Sequence, residues 1–207
     1  MNTEDKYIEL FNDIKDGKMT LEEIKEYFNS YQCYIPKADF GKLIIDLIGE
    51  VDFEIISEIV KSKKGKFFDD YVDEYGEPML HIIVLQTTFC NDFEANKEGM
   101  FKLLEDKDSG LKWGVRNKNL EDLLHIVCFL SNNYSKDDII RFINVIKDNT
   151  KIFPLNRDDT NRNAIEVFKY RNKLSEEDKN EIIEILENIV EESIIEVDNY
   201  YEEIESI

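Results

Sequence analysis

Asp73-Glu74-Tyr75-Gly76-Glu77-Pro78-Met79-Leu80-His81-Ile82-Ile83-Val84 is a polar turn that runs straight into an apolar helix, and the chain repeats the arrangement twice. The echoes are Asn117-Lys118-Asn119-Leu120-Glu121-Asp122-Leu123-Leu124-His125-Ile126-Val127 and Asp158-Asp159-Thr160-Asn161-Arg162-Asn163-Ala164-Ile165-Glu166-Val167-Phe168. Pro78 suits the first turn of a helix, where no backbone N–H is needed. After each apolar run and a loop comes a second apolar segment at helical spacing. The first is about 78–88, followed by a helix carrying Met100, Phe101, Leu103 and Leu104. The next pairs are about 121–131 with 136–147, and about 163–171 with 175–196, the latter two helices opened by Ser135 and Ser175 as caps. Helix pairs thus recur roughly every forty residues. A pair that small cannot bury its own apolar face, so neighbours must stack.

Outward from this core, residues 4–15 place Tyr7, Ile8, Leu10, Phe11 and Ile14 at helical spacing before Gly17. Thr20-Leu21-Glu22-Glu23 reads as a capping box opening a helix with Ile24, Tyr27 and Phe28 on one side. Together they form a helical hairpin that caps the array. Beyond Pro36, helices are expected through Phe40, Leu43, Ile44, Leu47 and Ile48, and, after Gly49 and Asp52, through Phe53, Ile56, Ile59 and Val60. The basic run Lys61–Lys66 reads as the C-terminal end of that last helix, where cations complement the dipole. The expected fold is all-α, with stacked helical hairpins. The expected division is an N-terminal cap over 1–35, repeats over 36–192 and an acidic helix end or tail over 193–207.

At these turns the chain resembles the ankyrin-repeat family, whose pattern is an Asp, a Gly three residues on, and a Thr-Pro-Leu-His opening the first helix. Asp73, Gly76, Leu80 and His81 fall on that pattern, with Pro78 and Met79 in place of Thr and Pro. In the second copy Leu124-His125 match, Asp122 stands at the Thr place, and Leu120 replaces the Gly. In the third, Asp158 and Asn161 take the Asp and Gly places, and an acid, Glu166, stands for His. A degraded fourth copy would lie at Gly41–Asp46. The resemblance covers about 38–192 and implies a helical-repeat solenoid. Gly76, His81, His125 and Asn161 then become structural repeat positions, the histidines bonding neighbouring turns. The repeats exceed the family's usual length, and Ile83, Val127 and Phe168 stand where it has a small Ala. A HEAT-like or irregular helical array would leave a similar signature.

Composition bounds function. Acids outnumber bases 46 to 26, a net charge of −20, which disfavours direct contact with nucleic acid or anionic membrane and favours a basic protein partner. The same acidity also serves solubility. Cys33, Cys90 and Cys128 lack CxxC spacing and read as reduced core thiols. No signal peptide and no apolar run of membrane-spanning length is read, so a cytoplasmic location, in a bacterium or an infected host cell, is expected. There is no phosphate loop, GxSxG or HExxH, and no cofactor or metal is expected. The chain reads as a non-enzyme.

The expected partner-binding residues are Asp73, Glu74, Tyr75, Glu77, Trp113, Asp158, Asp159, Asp198, Tyr200, Tyr201, Glu202 and Glu203. Trp113 lies on a connection, as an anchor or as local core. From Leu174 onward thirteen acids face one lysine, either a solvated cap and tail or a segment that docks on a basic groove. The sequence thus suggests a concave acidic surface that inhibits a basic, nucleic-acid-acting protein, as a toxin-immunity protein or a phage or viral antagonist would. The alternative is a viral or host-directed ankyrin scaffold whose acidity serves solubility only.

Overall fold

The computed structural model describes residues 3–30, 33, 35–150, 154–171 and 173–205, with side chains described over 6–30, 33, 35–150, 154–171 and 173–192. Among these the protein is all-α, with α1 Thr3–Lys15, α2 Leu21–Asn29, α3 Lys37–Leu47, α4 Phe53–Lys61, α5 Lys63–Phe67 and α6 Met79–Phe89. They are followed by α7 Phe93–Glu105, α8 Leu123–Leu130, α9 Lys136–Asn149, α10 Ala164–Arg171 and α11 Glu176–Glu205. No strand occurs among the described residues; isolated bridges such as Val72 to Pro78 and Arg157 to Asn163 only close turns. The chain divides into two compact units, Met1–Val115 and Arg116–Ile207. That boundary falls inside the stretch 36–192 expected as one run of repeats.

In the first unit α1 packs on α3 and α3 on α6, while α2 packs on α4 and α4 on α7. Two rows of helices result, with Phe28, Phe40, Leu43, Ile44, Ile56, Ile59, Ile83, Met100 and Phe101 sealed between them. Each such side chain contributes about 1.5–3 kcal/mol when fully buried. Local chemistry sets the helix starts. Thr20 accepts from the Glu23 N–H at 3.2 Å while the Glu23 carboxylate accepts from the Thr20 N–H at 2.8 Å, and Asp52 caps α4. The basic run does not finish α4. Ser62 donates to the Ile59 carbonyl and accepts from the Gly65 N–H at 3.0 Å, so it ends α4 and opens the separate α5. Gly41, expected in a degraded repeat, lies inside α3, where a Cβ would sit 2.0 Å from the Tyr71 ring.

In the second unit α8 packs on α9 and α10, and α11 packs on α9 and α10. Apart from Phe129, α8 is buried along its whole length, so it is the unit's central helix. Phe142, Ile143, Phe168, Ile182 and Leu186 close the core around it. Ser135 and Asp138 form a capping box on α9, and Ser175 accepts from the Asp178 N–H at 3.1 Å to start α11. The three cysteines are free thiols; Cys33 and Cys128 are buried, and burial pushes both upward in pKa. No helix among the described residues is long and apolar enough to cross a membrane.

Candidate docking surface at the repeated turns

The three quoted turns share one hydrogen-bond design. The first residue's side-chain oxygen accepts from the N–H groups two and four residues on. Asp73 takes Tyr75 at 2.9 Å and Glu77 at 2.8 Å; Asn117 takes Asn119 at 3.0 Å and Glu121 at 2.9 Å; Asp158 takes Thr160 at 2.9 Å and Arg162 at 2.8 Å. The anchor's own N–H donates to the carbonyl four residues on, namely Glu77, Glu121 and Arg162. Its carbonyl accepts from the residue three on, which is left-handed in each copy: Gly76 at φ 86°, Leu120 at 61° and Asn161 at 64°. Glycine and asparagine occupy that region at little cost, whereas leucine does not.

Two anchors were expected at a partner surface, and their geometry gives them another task. Asp158 is 5% exposed, and its second oxygen takes the Arg162 guanidinium at 3.2 Å. The Asp73 carboxylate is turned onto its own turn. Asn117 was not singled out at all. The available signal was the recurrence of Asp or Asn at one register, since Asx side chains bond the backbone two residues on.

The histidines differ in detail. His125 Nδ1 lies 2.8 Å from the Asp122 carboxylate, which also caps α8 through the His125 N–H, and its Nε2 donates to the Arg162 carbonyl at 3.4 Å. Burial pulls the ring downward, but the Asp122 hydrogen bond and charge override it and leave the His125 pKa raised. Burial likewise opposes ionisation of Asp122, and the hydrogen bonds and charge of His125, with the Asn156 amide, hold its carboxyl below the ordinary value. His81 Nδ1 meets Glu77 at 3.2 Å, and its Nε2 has no hydrogen-bond partner among the described residues. In the third copy Glu166 accepts from the Asn163 N–H and Asn163 accepts in return from the Glu166 N–H, both at 2.9 Å. The acid therefore closes a cap where the other copies use histidine.

Of the remaining expected residues, Glu74 and Asp159 are exposed, Tyr75 is 64% exposed at the turn tip, and Glu77 is half-buried. Trp113 is half-buried between Gly110 and Gly114, both at positive φ. Asp198, Tyr200, Tyr201, Glu202 and Glu203 lie outside the described side chains.

Charge is partitioned. From Phe67 to Asn96 there are seven acids and no lysine or arginine, so the first turn is strongly acidic. From Arg116 to Lys173 eleven bases face eight acids, so the other two turns and their helices are not. Large apolar side chains left exposed are partitioned too. They lie on turns (Val72, Tyr75, Leu120) and on α6, α8 and α10 (Phe89, Phe129, Tyr170), with Ile8, Phe67 and Leu155 besides. None lies on α2, α4, α7, α9 or the described part of α11. Among the described residues no group of three or more His, Cys, Asp or Glu converges as metal ligands.

Fold and site together define an all-α, helical repeat-like protein. Comparison with known proteins returns no matching family model, no matching curated protein and no matching solved structure.

Proposed function

We propose that the chain is a non-enzymatic, protein-binding module built from ankyrin-like repeats, and that its first turn docks a basic partner. The supporting observation is the exposed aromatic Tyr75 at the tip of the acidic first turn, with Val72 exposed beside it, while α2, α4 and α7 of the same unit carry no large exposed apolar side chain. Aromatic side chains in contact surfaces dominate interface energies. Tyr75 projects from a turn whose backbone is already fixed by Asp73, so ordering it on binding costs little entropy.

The chemistry of the partner follows from charge. Glu74 and Asp69 are exposed within the acidic stretch, and a −20 protein accelerates encounter with a cation-rich surface. Inhibition of a basic, nucleic-acid-acting protein is the role this suits, whether as toxin immunity or as a phage or viral antagonist. Capture on the immobilised full chain at low salt tests it. The expected result is a basic protein lost at high salt and lost with Glu74→Lys/Tyr75→Ala, but retained by Asp159→Lys. A partner that survives both high salt and the Glu74/Tyr75 change would replace this reading with a salt-insensitive scaffold.

A further inference from the structure

Two surfaces of the second unit are each uncompensated and suit one another. The first lies where α8 and α10 end. The Arg171 guanidinium sits over the Phe129 ring, 4.4 Å from its centroid, and the Ser131 hydroxyl donates to the Arg171 carbonyl. Arg171 has no carboxylate partner among the described residues, and neither does the exposed Lys173. Phe129 is 40% exposed and Tyr170 83% exposed. An arginine seated over an aromatic ring keeps N–H groups available for a carboxylate.

The second surface is on α11. Glu177, Glu184 and Glu191 recur every seven residues on the side opposite the buried Ile182, Leu186 and Ile189. The three are exposed and have no cation partner among the described residues. Their neighbours differ: Glu181 and Asp178 hold Lys136, Glu187 holds Lys169, and Glu192 holds Lys147. Lys136, Lys147 and Lys169 are thus drawn to the flanks of α11, and the outward ridge holds no cation among the described residues. Cations without carboxylates and carboxylates without cations stand on the same unit.

We infer that a second copy of this chain is the occupant of both surfaces: the Phe129–Tyr170–Arg171 patch of each copy docks on the Glu177–Glu184–Glu191 ridge of the other. Arranged about a two-fold axis, the pair of contacts would close the assembly at a dimer. Exposed ion pairs are individually weak, so the rings supply affinity while the charges set register and partner choice. The inference goes beyond the proposed docking role, which uses the acidic first turn, and stands or falls separately from it.

The test is sedimentation of the full chain over a concentration series at about 0.1 M salt. Wild type is expected to show a monomer–dimer equilibrium that weakens at high salt. Arg171→Glu/Lys173→Glu makes both surfaces acidic, and Glu177→Lys/Glu184→Lys/Glu191→Lys makes both basic. Each variant alone is expected to lose at least about tenfold in self-affinity, and the two mixed are expected to form a heterodimer. All five positions are solvent-exposed, and the heterodimer would itself show that both variants fold. Tyr170→Ala is expected to weaken the wild-type dimer without abolishing salt dependence. A wild type that stays monomeric throughout, a variant that still self-associates alone, or a mixture that yields no heterodimer overturns the inference.

Discussion

The turn at 73–77 and the turn at 117–121 are built alike and finished differently. Both hang two backbone N–H groups on one Asx oxygen and bend through a left-handed residue. The first has glycine at the bend, a tyrosine at the tip and an acidic neighbourhood. The second has leucine at the bend, 49% exposed, and the tip carbonyl of Asn119 engaged by the Asp159 N–H at 2.8 Å. Its histidine is tied at both nitrogens, whereas His81 is tied at one among the described residues. The first turn therefore carries an exposed tyrosine at its tip, whereas the second is tied to its neighbour within its own unit.

The largest effect is expected at the buried anchor of the third turn, which shares this design. Asp158→Ala strands two backbone donors, the Thr160 hydroxyl and the Arg162 guanidinium, and is expected to lower unfolding free energy by about 3 kcal/mol in urea denaturation. Asp158→Asn keeps one acceptor, as Asn117 does in the second turn, and is expected to cost only about 1 kcal/mol. Equal losses would show that the charge, not the acceptor, holds the turn.

An exchange at the bend sharpens the contrast next. Gly76→Leu forces a branched side chain into the left-handed region and is expected to destabilise by about 2 kcal/mol. Leu120→Gly relieves that strain and is expected to stabilise by about 1 kcal/mol. If both changes destabilise, the Leu120 side chain is packing rather than bearing strain.

The smallest expected effect is on pH dependence. His125 has its folded pKa raised, so its contribution is complete below the ordinary histidine value near 6.5 and fades as pH rises through the folded one. Asp122 has its folded pKa lowered, so its contribution is present above about 3.9 and fades as pH falls through the folded one. Melting temperature is expected to peak between these limits and decline on the alkaline side, and His125→Gln should flatten that decline. An unchanged alkaline slope in the variant would remove the ion pair from the account.

What the sequence disclosed follows from range. The caps at Thr20, Asp52, Ser135 and Ser175 and the period of each helix are written within a few neighbouring residues, and the all-α architecture was legible from them. The anchoring role of Asp73 and Asp158 was carried only by the recurrence of Asp or Asn at one register, because a single acid in a turn looks the same whether its carboxylate faces a partner or its own backbone. Gly41 was read as part of a degraded repeat because its reason for being glycine, the Tyr71 ring, is thirty positions away along the chain. Ser62 splits the basic run through bonds to Ile59 and Gly65, which composition alone cannot weigh. The net charge was read as one acidic surface, yet the acids gather at the first turn and along α11, while the stretch from Arg116 to Lys173 that holds the second and third turns has eleven bases to eight acids.

The docking role itself is tested most directly by amide hydrogen exchange on the full chain with and without its captured basic partner. The account predicts slowed exchange across residues 69–77, with α7 unchanged. Protection confined to α9 and α11, with the first turn untouched, would contradict it.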